Sequence, residues 1–172
     1  PVSLVYSNTK KETDPRYFIF RELIINDENF RNIFKKRLEE KLNYVLTKDF
    51  LFSVVDNNCR IGRSFGMEMD IAEKALHDFM NKRPEYVMNM MNRFFKLGEV
   101  RRVSFKIPGG TSLLADGIEV KKSFTGYYFT GSEINLSSES RSLKGWIVNG
   151  VKSGGSNLKL QIDKDLHVTP VY

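Results

Sequence analysis

Cysteine is nearly absent from this chain of 172 residues: Cys59 stands alone, so no internal disulfide can staple the fold. Histidine is almost as scarce, with only His77 and His167, one in each half of the chain. A nucleophile needs a base within hydrogen-bond reach, and no sequence neighbour supplies one to Cys59. Metal sites declare themselves by closely spaced His, Cys or carboxylate ligands. The nearest approach is Glu68 with Asp70, or Asp163 with Asp165, and both pairs read as cap or turn acids. Long apolar runs are missing too: none approaches the roughly 18 residues that cross a bilayer. The amino terminus also lacks the basic-then-apolar pattern of a signal peptide. Basic charge is in excess, formally +6, but it is not concentrated. Lys and Arg outnumber Asp and Glu by 17 to 14 through Leu97 and by 10 to 7 after it. A phosphate backbone calls for a concentrated basic face, so nucleic acid is not an expected partner.

What is present changes character once, at Leu97-Gly98. Before that point glycine is scarce and apolar residues recur three and four apart; after it they alternate, with glycines between short runs. The expected fold class is therefore α+β, an N-terminal helical bundle over 16–97 followed by a small antiparallel β domain, sandwich or barrel-like, over 98–172. The chain opens at Pro1 with no Met, through strand-like Ser3-Leu4-Val5-Tyr6 and a polar tract from Ser7 to Asp14. Residues 1–15 read as a leader from a preceding domain.

In the first half the pattern predicts a short apolar helix from Arg16 to Ile25, then a new start at Asn26-Asp27-Glu28, where a side chain can cap free amides and acids oppose the helix dipole. Phe30, Phe34, Leu38, Leu42 and Leu46 fall four apart, widened by Ile33 and Val45. The opposite face, which includes Arg31, Lys35, Arg37 and Glu39, reads as solvated. Thr47 caps a further helix through Val55 that loosens at Asn57-Asn58 and the Gly62 to Gly66 stretch. That glycine stretch lies between helices and lacks the spacing of a phosphate loop. Asp70 and Glu73 have capping-box spacing ahead of an apolar stripe of Ile71, Ala75, Leu76, Phe79 and Met80. Pro84 suits the first turn of a last helix, whose buried face is Val87, Met90, Met91, Phe94 and Phe95.

In the second half, Val103, Phe105 and Ile107 alternate, Asp116-Gly117 has hairpin composition, and about seven short strands follow in all. Pro170 cannot donate to a ladder, which places the closing run at an edge or makes it end one. Tyr127, Tyr128 and Trp146 are the candidate ligand or partner surface for a glycan or protein. Alternation buries about half of the nearby aromatics, and Tyr128 is the one expected to face outward.

Two stretches together resemble the C-terminal part of the CotH kinase family, the bacterial spore-coat-type atypical protein kinases. The first runs from Phe20-Arg21-Glu22-Leu23 through Asn29-Phe30-Arg31, followed by Phe34, Arg37 and Leu42-Asn43; Asn81-Lys82-Arg83-Pro84-Glu85-Tyr86-Val87 and Phe94 to Gly98 continue it. The second is Gly126-Tyr127-Tyr128-Phe129-Thr130-Gly131-Ser132, then Lys144-Gly145-Trp146, Asn149-Gly150 and the close from Asp165 to Tyr172. It is similar to the β module that often follows those helices. The resemblance implies a non-catalytic segment that supports an ATP-dependent phosphotransfer site upstream, with ATP and a divalent metal held there by residues of the parent. It carries no catalytic, cofactor-binding or metal-binding residue onto this chain. The implied partner is the upstream kinase-like domain of the same chain, and the implied setting is secreted, cell-surface or spore-coat. Asp27-Glu28 stand where the family has a Pro, and the Gly62 to Met69 stretch lacks its Arg-Trp pair. The competing readings are a surface adhesion or glycan-binding module and a structural spacer.

Overall fold

The computed structural model describes residues 15–138, 140 and 142–172, apart from the side chain of Tyr17. The expected leader, with its strand-like Ser3 to Tyr6, lies outside the described residues except for Pro15, which begins α1. The described chain is α+β, with helices first and strands after. Helix α1 spans Pro15–Asn26, α2 Glu28–Glu40, α3 Lys48–Ser64 and α4 Asp70–Phe95; a π-helical turn, Lys41–Val45, follows α2 directly.

The caps expected at Asp27 and Thr47 form: Asp27 accepts from the Phe30 amide at 3.0 Å and Thr47 from the Phe50 amide at 3.3 Å. The capping box at Asp70 does not. Asp70 is already helical, and it and Glu73 both accept from Arg63 at the end of α3, so the pair ties two helices together instead of closing one. Helix α3 runs past Asn57-Asn58 to Ser64, and Asn58 is held by a bond to the Val54 carbonyl. Pro84 begins no helix; it lies inside α4, which continues through it. The stripe expected to be buried ahead of it is mostly exposed, with Ile71 88% accessible, because no described element covers that side of α4.

Nine strands follow among the described residues: β1 Val100–Phe105, β2 Leu113–Ala115, β3 Ile118–Val120, β4 Phe124–Phe129, β5 Glu133–Ser137, β6 Gly145–Val148, β7 Val151–Gly154, β8 Asn157–Gln161 and β9 Leu166–Val171. They form one sheet in the order β4-β1-β9-β6-β7 and another in the order β3-β2-β5-β8. Side chains of both enclose a common core that includes Phe105, Trp146 and Val168 from the first sheet and Leu113, Ile134 and Leu160 from the second. This is the sandwich form of the expected β module. Asp116 and Asn149 take positive φ with a glycine after each, as a tight hairpin turn requires.

One pairing, β1 with β9, is parallel, which places β9 in the interior of its sheet and not at an edge. Pro170 is tolerated because even-numbered residues of β9 face β1, and β1 pairs only as far as Val168. Beyond that point there is no ladder acceptor for the missing amide to forfeit.

Candidate functional site

The three aromatic candidates separate. Tyr128 and Trp146 are 2% and 1% exposed, both inside the sandwich, and Tyr127 is half-buried where the helices meet the sheet. Tyr128, expected to face outward, does the opposite. Phe124, Gly126 and Tyr128 share the inner face of β4, while Tyr127 and Phe129 on its other face join a second apolar cluster with Ile24, Phe34, Met88 and Phe95 of the helices. A strand covered on both sides leaves no solvent face for alternation to report. The Tyr128 ring lies over Gly126, where an added Cβ would stand 2.7 Å from a ring carbon, and its hydroxyl meets that of Tyr44 at 2.8 Å. An exposed platform of Tyr127, Tyr128 and Trp146 therefore does not exist.

In its place, a polar row on the second helix grips the free edge of β4. Lys35, Glu39 and Asn43 fall four apart, one position beyond the apolar row of Phe34, Leu38 and Leu42, so both rows turn toward the sheet. Asn43 donates to the Tyr127 carbonyl and accepts from its amide, each at 2.8 Å, as a neighbouring strand would. Glu39 Oε1 accepts from the Phe129 amide at 2.8 Å and from the Ser132 hydroxyl at 2.5 Å. Lys35 Nζ donates to the Thr130 carbonyl at 2.8 Å. These side chains supply to β4 the partners that an edge strand lacks.

Glu39, read from the sequence as solvated, is buried, and burial pushes its carboxyl up to about 7 despite the bonds from Ser132 and Phe129 and the charge of Lys35. Burial likewise lowers Lys35, against the pull of Glu39. The available signal was the 35/39/43 spacing beside the stripe. Sequence reasoning assigned Lys35 and Glu39 to the outer face because charge on a helix is usually solvated, and it gave Asn43 no place on either face.

Beside this seam lies a cleft of about 670 Å³ between the halves, walled by the π turn and the start of α3, by Met80 to Pro84 of α4, and by Glu119 to Tyr127. Lys122 closes one end with an ion pair to Asp49 at 2.6 Å, joining the β half to α3. The scarce reactive groups stay apart from it. His77 Nε2 bonds Asp56 at 2.7 Å and its ring stacks on Phe52 at 4.3 Å; Cys59 is fully buried in α3; His167 lies on β9 with its amide bonded to Asn149. Among the described residues, no three His, Cys, Asp or Glu side chains gather in a way that could hold a metal ion. No described helix is long and apolar enough to cross a membrane. No protein-family model, curated protein or solved structure matches the chain.

Proposed function

We propose that this chain is the non-catalytic carboxy-terminal segment of a CotH-like protein kinase, its helices supporting an ATP-dependent phosphotransfer site upstream and its strands forming an appended β module. The observation that carries this reading, beside the sequence resemblance, is the outer surface of the helices. Helix α1 is apolar on every side: Ile24 is fully buried, while Phe18, Ile19, Phe20, Leu23 and Ile25 stay exposed. A helix of that kind is built to be enclosed, and among the described elements α2 and α4 pack on only part of it. The upstream kinase-like domain of the same chain is the partner this reading names. A secreted, cell-surface or spore-coat setting accompanies it.

The resemblance carries no metal- or nucleotide-binding residue onto this chain, so no phosphotransfer step is assigned to it. Its part in this reading is mechanical: the Phe, Leu and Met stripes and the grip on β4 join the helices to the sheet. The test compares this chain with a product extended upstream of Pro1. Phosphate transfer from ATP to protein is expected from the extended product alone. Phe18→Glu with Ile19→Glu should lower the melting temperature of the extended product and leave that of this chain unchanged. ATP turnover by this chain, or an extended product that binds no nucleotide, overturns the reading.

A further inference from the structure

We propose that the cleft between the halves docks an extended polypeptide of another protein, which adds a strand to β4 at Thr125 and places an acidic residue near Lys48. This goes beyond the kinase reading and does not depend on it.

The backbone of β4 is the first ground. In the antiparallel pairing with β1, odd-numbered residues of β4 turn their amides and carbonyls away from the ladder: Phe129 gives its amide to Glu39, and both groups of Tyr127 are taken by Asn43. Thr125, two residues earlier and paired with Ser104, falls in the same class. Its N–H and C=O point outward by that register and no bond to them from a side chain of the described residues is seen, and the residue is exposed and lines the cleft. The grip of α2 thus stops one residue pair short and leaves a vacant edge position, the feature that strand-adding peptides use.

The opposite wall supplies the second ground. Pro84 has no amide, so the Met80 carbonyl loses its donor four residues on, and Met80 and Pro84 both line the cleft. Leu46, which remains exposed, and Val120 give an apolar floor. The volume of about 670 Å³ is that of a ligand-sized cavity.

Charge selects the occupant. Three lysines and two acids line the cleft; Asp49 is held by Lys122 at 2.6 Å and Glu119 by Lys121 at 3.0 Å. Lys48 remains, its ammonium 5.1 Å from the centre of the Phe52 ring and beside the amino end of α3. A carboxylate complements that corner, and an extended peptide complements an outward N–H and C=O on one strand.

A random linear peptide library displayed on phage, panned against the full chain, supplies the probes, and the enriched peptides are then titrated individually. Peptides with alternating apolar residues and an Asp or Glu are expected. Thr125→Pro removes an outward amide from an edge strand, along with the hydroxyl that meets Ser104, and should weaken binding about tenfold, whereas Thr125→Val loses the same hydroxyl but keeps the amide and should leave binding within about twofold. Leu46→Ser and Lys48→Gln should each weaken it as well. Should Thr125→Pro fail to fold, hydrogen exchange decides: the Thr125 amide exchanges freely in the chain alone and slows in the complex. The proposal is overturned if no peptide is enriched, or if the enriched peptides are indifferent to Leu46→Ser and slow no exchange at Thr125. It is equally overturned if that amide is already protected in the free chain, by a second copy or by another segment of the same chain.

Discussion

Of the large apolar side chains that stay exposed among the described residues, Val151 alone belongs to the β half; the others, from Phe18 to Phe94, all lie on or beside the helices. The β half has two sheets that cover each other, and its outer strand β4 is covered a second time by α2 and α4. The helices have only that sheet and one another. Helix α1 packs on α2 and α4, and α3 packs chiefly on α4, so among the described elements their outward sides are left largely uncovered. The difference teaches that one half closes its own core between two sheets while the other leaves large apolar side chains exposed among the described residues.

The joint between the halves is where this contrast breaks most easily. Phe129 is fully buried at the meeting of helices and sheet, so Phe129→Ala should cost about 3–5 kcal/mol in chemical unfolding, with helical and sheet signals lost together. Separate transitions for the two halves would show that the sheet stands without the helices.

A slightly smaller effect, on the order of 3 kcal/mol, should come from pH through Glu39. Burial raises the folded carboxyl from 4.5 to about 7, so the folded chain keeps a proton that the unfolded chain releases between those values. Its contribution to stability is complete below about pH 4.5 and is lost as pH rises through about 7. Lys35 and Asp116 face the same carboxyl and act in opposite directions, Lys35 lowering its pKa and Asp116 raising it. Glu39→Gln keeps the acceptor oxygen and should flatten stability across that window; melting curves at a series of pH values check it.

Asn43→Ala strips both partners from the Tyr127 backbone and should cost about 1–3 kcal/mol, with faster hydrogen exchange at the Tyr127 amide. Gly126→Ala forces a methyl against the Tyr128 ring, an overpacking of about 1–3 kcal/mol that a thermal melt reads directly. At the small end, Ile71→Ser on the bare side of α4 should change stability by no more than about 0.5 kcal/mol. A large loss there would mean that the helical surface is already covered in this chain.

Much of the architecture was legible because it depends on local periodicity. The switch near Gly98, the caps at Asp27 and Thr47, and the hairpin at Asp116-Gly117 each follow from residues within a few positions of one another. The candidate surface was not legible in that way. Tyr128 and Trp146 carry the composition of a binding platform, yet whether an aromatic faces outward depends on what covers the second face of its strand.

What the sequence alone determined is which segments are helix and which are strand, since backbone preference and the spacing of apolar residues are properties of neighbours along the chain. Tertiary structure decided which faces are covered. It buried Glu39, set Asn43 in place of a missing strand, put Pro170 in an interior strand and left Thr125 at an open edge. Each of those outcomes depends on contacts between residues tens of positions apart, and the cost of burying a charge or leaving an amide unpaired is settled only when those residues meet.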